Sequence, residues 1–284
     1  MKIIYRPSGK ALEYAPLACN LYKGCPHGCR YCYGPCIPNP AKKGLTMPEW
    51  REIWHSKTTL KKDAVLKVHY DACSMQAKGD TRPVLLCFAC DPYPPDEPTQ
   101  LNGEPVTQMA LTIMRDKGIT PIILTKGGTR ACRDFPILKA AGGWFGQTCS
   151  FIFDTQYGAG TQECRKAWEP NAASMMDRHN AAEIADAYGI PVWWSVEPVI
   201  DKDQALAFLT VQSEHEVSKS DHFKLGKLSG YDKETKAIEK SINWPEYREA
   251  AREILAGAGY TEIFEPGVFE VGTHYVKKEL RDAK

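Results

Sequence analysis

The sequence predicts an α/β fold built on a parallel sheet. Short apolar runs of strand length alternate with segments of helical periodicity, and about six strands are expected. Each strand is followed by a connection long enough for a crossover helix, which is the kind of connection that parallel strands require. The alternation fits either a barrel-like sheet or an open doubly wound sheet. In both folds, ligands gather at the carboxyl ends of the strands.

A single domain is expected from the length and composition. The chain has 284 residues, of which 43% are hydrophobic, so it can bury a sizeable core. Barrels of about 250 residues stay undivided. We expect one domain over residues 1–284, with its core at about 17–230 and a helical extension at about 231–284.

The strand predictions depend on apolar runs that are bounded by breakers. Residues 83–90 are continuously apolar, as in a strand that is covered on both faces. A short strand over residues 17–22 runs directly into a cysteine-rich loop, so this loop follows a strand. The other strands are expected at residues 119–125, 148–153, 192–200 and 222–228.

Helices are predicted where apolar residues recur with a period of 3.6. The apolar residues from Val106 to Met114 share one face, and Gly118 follows where a helix would stop. Asn243 and Glu246 have the spacing of a capping box at the start of a later helix. Residues 37–60 are polar and contain three prolines, so an irregular excursion is expected there. Helices are expected at residues 60–72, 106–114, 181–188, 205–209 and 244–256.

The charge balance and the cysteine count narrow the function classes. Thirty-six basic and 35 acidic residues give a net charge of +1, so no strong global field steers the protein to nucleic acid or membrane. No run approaches the roughly 18 apolar residues of a membrane span, and the first residues lack a signal-peptide pattern. A cytoplasmic protein is therefore expected. Its 11 cysteines then indicate metal binding, redox chemistry or burial, because the cytosol keeps thiols reduced.

Three cysteines, Cys25, Cys29 and Cys32, lie within eight residues of a glycine- and proline-rich loop that indicates a metal site. A structural zinc site would need a fourth ligand, which Cys36 offers, but zinc ligands usually come in Cys-x-x-Cys pairs. A ferredoxin-type cluster also uses four thiolates, at a different spacing and with a Cys-Pro step. A third alternative is a [4Fe-4S] cluster that is held by three cysteines and has one open iron.

The spacing Cys-x-x-x-Cys-x-x-Cys, with an aromatic residue before the third cysteine, resembles the signature of the radical S-adenosylmethionine (SAM) superfamily. The longer stretch over residues 20–33 resembles the spore photoproduct lyase-like branch, whose members are often labelled DNA repair photolyases. Three later stretches are similar to this branch, so the resemblance covers residues 17–200. They are Asp91-Pro92-Tyr93, Thr125-Lys126 and Trp168-Glu169-Pro170.

This resemblance implies a partial (β/α)6 TIM-like barrel of the radical SAM type. It implies that Cys25, Cys29 and Cys32 hold a [4Fe-4S] cluster whose open iron binds SAM. An external one-electron reductant, such as flavodoxin or ferredoxin, would then drive cleavage of SAM to a 5′-deoxyadenosyl radical. A barrel interior that excludes water suits a radical of this kind.

The resemblance also implies roles for residues near SAM. Tyr33 follows the third cysteine, where the family places an aromatic side chain near the adenine. Lys126 would reach the SAM carboxylate, which suits a point charge, and Ser150 resembles a serine that contacts SAM. Asp91 would bind SAM hydroxyls or substrate, and the alternative is that it caps the proline-rich loop after its strand.

Three further residues are candidates for the reaction itself. Cys87 and Cys90 close the second strand, in the region where spore photoproduct lyases carry a hydrogen-donating cysteine, although neither falls squarely on that position. The alternative for both is core burial. Glu197 lies in an apolar strand, and a buried carboxylate usually has a partner. Lys224 or Lys227 is expected to supply the partner charge.

The predicted function is radical SAM chemistry on a nucleic-acid base, with DNA as the substrate. The reaction would be lesion reversal, or a modification or rearrangement of a thymidine-derived base. The near-neutral charge argues against a large duplex-binding surface and favours a flipped base or a smaller substrate. Two alternatives stay open: a radical SAM enzyme that acts on a peptide or small metabolite, and a zinc-binding module without catalytic activity.

Overall fold

The computed structural model describes residues 2–37, 44–100, 102–149, 166–214, 220–230 and 232–283. Within these ranges, no helix combines the length and the apolar character that a bilayer crossing requires.

One nine-stranded sheet organises the described residues. Six of its strands, β2 and β5–β9, are parallel and lie side by side in the order in which they occur in the chain. A doubly wound sheet reverses its strand order at a switch point, so this uninterrupted order is that of a barrel-type sheet. The sheet has the edge strands β1 and β10 among the described residues, so the barrel is partial. The strands are β1 (Ile4–Tyr5), β2 (Leu17–Cys19), β3 (Tyr22–Lys23), β4 (Thr59–Leu60), β5 (Val84–Leu86), β6 (Pro121–Thr125), β7 (Trp144–Cys149), β8 (Val192–Val196), β9 (His222–Leu225), β10 (Thr261–Ile263) and β11 (Thr273–Val276).

Most of the predicted elements are present, with bounds that differ by a few residues. The strand predicted at 83–90 ends at Leu86, because Cys87 adopts a left-handed backbone with φ of +59° that cannot continue a strand. The strand predicted at 148–153 is β7 and begins earlier, at Trp144; residues 150–153 are outside the described residues. The helices are α1 (Met47–Ser56), α2 (Ala64–Ala77), α3 (Val106–Asp116), α4 (Phe135–Ala140), α5 (Met175–Ala187), α6 (Lys202–Glu214), α7 (Lys233–Ser241), α8 (Trp244–Gly257) and α9 (Lys278–Arg281).

Two regions differ in kind from the sequence prediction. The polar excursion predicted at 37–60 contains helix α1, which begins after a capping box between Thr46 and Glu49. The helical extension predicted at 231–284 also contains β10 and β11. Strand β11 pairs with β9 in parallel and thereby extends the sheet beyond the six predicted strands.

The sheet separates two apolar cores. The larger core packs the outer face of the sheet against the helices. The smaller core fills the opposite, inner face, with Leu85, Ile122 and Trp193 as members, because successive strand residues point to opposite faces. Trp193 crosses this inner space above Gly146, where a Cβ atom would lie 2.1 Å from the indole ring.

Candidate active site

A cavity of about 730 Å³ lies at the carboxyl ends of the strands. Its volume is in the range of sites that enclose a small-molecule ligand. Nine of the ten predicted site residues line it, so the barrel brings together residues that are far apart in the sequence. The tenth, Ser150, is outside the described residues. The nine are Cys25, Cys29, Cys32, Tyr33, Cys87, Cys90, Asp91, Lys126 and Glu197.

The three loop cysteines open onto one end of this cavity. Burial raises the pKa of all three thiols, and the pKa of Cys25 is raised further by Asp91 and then by the neighbouring thiols Cys29 and Cys32. These thiols are therefore protonated near neutral pH, and metal binding would release their protons. Cys36 is exposed on a 3-10 turn, Gly34–Cys36, and does not line the cavity.

The thiols of the cysteine loop lie apart from one another on the cavity wall. Among the described residues, no three His, Cys, Asp or Glu side chains converge as a single metal ion requires. A [4Fe-4S] cubane takes its thiolates on separate iron atoms and needs thiols around a volume. The three cysteines all line the same cavity, which gives the number of thiols that such a cluster with one open iron takes from the protein.

Helix α1 holds the cysteine loop from one side. The N–H of Cys25 donates to the carbonyl of Trp54 at 2.9 Å, and His55 Nδ1 lies 2.8 Å from the carbonyl oxygen of Cys25. The guanidinium of Arg51 donates to the carbonyls of Cys32 at 2.9 Å and of Arg30 at 2.8 Å. These residues were missed in the sequence. The capping-box spacing of Thr46 and Glu49 is the signal that could have located the helix.

The Trp168-Glu169-Pro170 stretch holds the loop from the other side. The N–H of Arg30 donates to the carbonyl of Trp168 at 2.8 Å, and the rings of Tyr31 and Trp168 stack with centroids 6.4 Å apart. The carboxylate of Glu169 accepts hydrogen bonds from Tyr31 and from the buried guanidinium of Arg178. Burial raises the pKa of Glu169, and Arg178 opposes that effect. This stretch is therefore a structural support of the cysteine loop.

Asp91 links the cysteine loop to the ends of β5 and β6. Its carboxylate accepts hydrogen bonds from the N–H of Tyr93 at 2.8 Å, the hydroxyl of Thr125 at 2.6 Å and the N–H of Lys126 at 2.7 Å. His27 Nδ1 lies 3.4 Å away. Burial alone would raise the pKa of Asp91, but His27 and the hydrogen bonds lower it. These contacts match the loop-capping alternative.

Lys126 carries its charge toward the cysteine loop. Its Nζ lies 5.5 Å from the centroid of the Tyr31 ring, which is a cation–π distance. Lys126 also lowers the pKa of the Cys29 thiol, against the larger, opposite effect of burial. A positive group therefore stands beside the thiols on the cavity wall.

Cys87 and Cys90 form a pair of thiols in the same cavity. Cys87 is 3% exposed, and its N–H donates to the carbonyl of Cys19 at 2.7 Å. A hydrogen bond with Cys87, together with burial, raises the pKa of Cys90 well above its usual value. A residue other than glycine with positive φ stores backbone strain, and such residues cluster at functional sites. Cys87 is one of two in the described part of the chain, the other being Asp63.

Three aromatic rings connect the cysteine end of the cavity to Glu197. The ring of Tyr33 lies 5.4 Å from that of Phe88, which in turn lies 5.6 Å from that of Tyr14. The hydroxyl of Tyr14 donates to Oε1 of Glu197 and lies 3.1 Å from the hydroxyl of Ser195. We call these three rings, Tyr33, Phe88 and Tyr14, the aromatic wall.

The partner of Glu197 is Lys277, and the predicted partners, Lys224 and Lys227, are wrong. Lys277 Nζ lies 3.0 Å from Oε1 of Glu197, whereas Lys227 pairs with Glu239 at 3.0 Å. Lys224 does lie inside the barrel, but its Nζ donates to backbone carbonyls, the nearest being that of Glu13 at 3.0 Å. The prediction failed because Lys277 follows β11, a strand that was not expected.

Three solved structures of spore photoproduct lyase superpose on the chain. A point mutant is 13% identical, with a TM-score of 0.64 over 97% of this chain and 79% of its own. The complex with dinucleoside spore photoproduct is 13% identical, with a TM-score of 0.61 over 92% of this chain and 76% of its own. A double mutant with bound AdoMet and the same dinucleoside is 12% identical, with a TM-score of 0.60 over the same shares. The chain has the fold of spore photoproduct lyase.

The spore photoproduct lyase fold confirms the partial (β/α)6 barrel that the cysteine motif implied. At 12–13% identity, the likeness is one of fold. No protein-family model matches the sequence, and no curated protein matches it.

Proposed function

We propose that this protein is a radical SAM enzyme. Cys25, Cys29 and Cys32 would hold a [4Fe-4S] cluster, and bound SAM would supply a 5′-deoxyadenosyl radical after one-electron reduction by a donor such as flavodoxin or ferredoxin. The observation that carries the proposal is the single cavity onto which all three thiols and Lys126 open. The spore photoproduct lyase fold, which has been solved with bound AdoMet, supports it.

On the SAM side of the cavity, the protein contributes charge and shape. Lys126 would bind the SAM carboxylate as a point charge beside the thiols. Tyr33 would lie beside the adenine, because its ring faces the cavity next to the third cysteine. Ser150 stays a predicted SAM contact. Asp91 would act through the backbone, by fixing the position of Lys126.

We infer that the substrate is a nucleic-acid base, and that the reaction is lesion reversal or modification of a thymidine-derived base in cytoplasmic DNA. Spore photoproduct lyase has been solved in complex with dinucleoside spore photoproduct, which supports this class. Within the aromatic wall, the Phe88 ring lines the cavity and offers a stacking surface for a flat ring. Cys87 or Cys90 would return a hydrogen atom to the product radical, since both thiols line the cavity. Glu197 would act at the opposite end of the cavity.

Anaerobic reconstitution with iron and sulfide tests the proposal. We expect about four iron atoms per chain, as one cubane requires, and release of 5′-deoxyadenosine when reductant and SAM are added. Cys29→Ala should abolish both, while Cys73→Ala, a half-buried cysteine of α2, should preserve both. A colourless protein that cleaves no SAM would overturn the proposal.

The substrate class needs a separate measurement. DNA is incubated with the reduced enzyme and SAM, digested to nucleosides and analysed by mass spectrometry. A new or lost nucleoside that depends on SAM identifies both the substrate and the reaction. Unchanged nucleosides together with 5′-deoxyadenosine release would contradict the base substrate and leave radical SAM activity intact.

A further inference from the structure

The far end of the cavity contains a buried donor and acceptor pair. Glu197 follows β8, and Lys277 follows β11; β9 lies between these two strands. The carboxylate of Glu197 is held at Oε1, which accepts from both Tyr14 and Lys277. Gly226 leaves the space in which this carboxylate lies, because a Cβ atom there would be 1.7 Å from Oε2.

One oxygen of this carboxylate lacks a donor. Oε2 of Glu197 is buried and has no hydrogen-bond partner among the described residues. Buried polar atoms in native proteins are nearly always hydrogen-bonded, so each exception calls for an explanation. Glu197 also lines the cavity, so a donor group on a ligand is the partner that fits.

The ammonium of Lys277, next to this carboxylate, supplies hydrogen-bond donors. Lys277 is 2% exposed, and it uses one hydrogen bond for Glu197, which leaves donors for a ligand acceptor. Burial opposes the charge of Lys277, but Glu197 and Glu279 raise its pKa, so the ammonium is retained. A negative acceptor and a positive donor therefore stand side by side on one wall.

The aromatic wall indicates which shape of ligand would bind next to Glu197 and Lys277. The Phe88 ring lines the cavity, and the Tyr14 ring stands at 60° to it and reaches Glu197, so a flat ring stacked on Phe88 would present its edge toward the carboxylate. Stacking is tolerant of base identity, whereas hydrogen bonds to the edge are selective. The arrangement thus matches a heterocycle with an N–H next to a carbonyl.

We propose that Glu197 and Lys277 read the N–H and C=O edge of a base such as thymine or uracil that stacks on Phe88. This inference rests on the proposed function, because it names the part of the base that the same cavity recognises. Glu197 accepts the ring N–H, and Lys277 donates to the adjacent carbonyl. Both act in substrate selection, with no change of bonding at either residue.

Equilibrium dialysis of the cluster-loaded enzyme with SAM tests this inference, with thymidine and N3-methylthymidine as the probes. The methyl group removes the N–H and leaves the ring and both carbonyls. We expect thymidine to bind about ten-fold or more tightly than the methylated probe, as one base-edge contact provides. Glu197→Ala should reduce this ratio to near one, and Glu197→Gln, which keeps the shape, should reduce it in part.

A ratio of two affinities separates edge recognition from a general loss of folding. Glu246→Ala removes the carboxylate of a surface pair with Lys202 and should leave the ratio unchanged. Equal binding of both probes by the wild type, or an unaltered ratio in both Glu197 variants, would overturn the inference. Release of 5′-deoxyadenosine is measured in parallel. If it persists while the ratio is one, only this inference fails, and if it is absent, the proposed function fails.

Discussion

Lys277 Nζ lies 3.0 Å from Oε1 of Glu197, and the two side chains meet across Gly226. Parallel pairing of β8 with β9, and of β9 with β11, places the residues that follow these strands at one level of the barrel. The ion pair therefore depends on the ends of β8, β9 and β11. It also depends on Gly226, which follows β9 and has no side chain.

Gly226→Ala should disrupt this pair. The added Cβ would lie 1.7 Å from Oε2 of Glu197, so the carboxylate must leave the position in which its Oε1 accepts from Tyr14 and Lys277. We expect a loss of about 1–3 kcal/mol in the free energy of unfolding, which is the range for inserting a methyl group into a packed site. Denaturant unfolding measures it.

Gly257→Ala is the matched control for this substitution. A Cβ atom at this last residue of α8 would meet nothing within 4 Å, and alanine favours helix by about 0.5–1 kcal/mol over glycine. Its stability should be unchanged or slightly higher. Equal losses in both variants would show that the space beside Glu197 is not restrictive.

Arg51→Ala should weaken cluster retention. The guanidinium satisfies the carbonyls of Cys32 and Arg30 and so fixes the path of the loop between the second and third thiols. Residues that orient metal ligands typically contribute 10–100-fold in metal affinity. We expect the reconstituted variant to lose iron to a chelator about ten-fold faster than the wild type. The visible absorbance of the protein measures this loss. Glu52→Gln changes an exposed neighbour on α1 and should lose iron at the wild-type rate. If Arg51→Ala also loses iron at the wild-type rate, Arg51 does not brace the loop.

Cys87 should separate SAM cleavage from product formation. If it returns the hydrogen atom, Cys87→Ala retains 5′-deoxyadenosine release and yields altered products, whereas Cys132→Ala, at a cysteine outside the cavity lining, changes neither. The left-handed backbone at Cys87 favours glycine, so Cys87→Gly should be about 1 kcal/mol more stable than Cys87→Ala. Unchanged products in the alanine variant would assign hydrogen return to another group.

Lys224 should make stability depend on pH. Burial, and then the charge of Lys277, lower its pKa from 10.5 to about 7. Between these values the unfolded chain binds a proton that the folded protein lacks, so stability rises with pH over this window, by at most about 1.4 kcal/mol per unit. Lys224→Met should flatten the rise, as measured by denaturant unfolding at several pH values. An identical slope in both proteins would mean that the carbonyls of Glu13 and Tyr14 keep the ammonium charged.

The parts of the fold with long apolar runs were predictable, and the parts that support the site were not. The strands β6 and β8 and the cysteine loop could be located because their patterns are local. Helix α1 leaves a misleading signal, because Pro48 indicates a breaker in the sequence, although proline is favoured in the first turn of a helix. Strand β11 was missed because its four residues include the buried polar residues Thr273 and His274, too few and too polar to show a period. Contacts that join distant segments, such as Lys277 with Glu197, leave no local signal.

The position of β11 separates the Glu197–Lys277 pair from the edge of the sheet. Strand β10 at the edge of the sheet pairs with β11 alone, and edge elements with few neighbours open at a lower free energy than the centre of a sheet. Fraying of β10 would leave Lys277 in place, because its N–H donates to the carbonyl of Leu225 on β9 at 2.9 Å, and the cysteine loop is braced separately by Arg51 and Glu169. Opening at the edge of the sheet is therefore expected to leave both ends of the cavity intact.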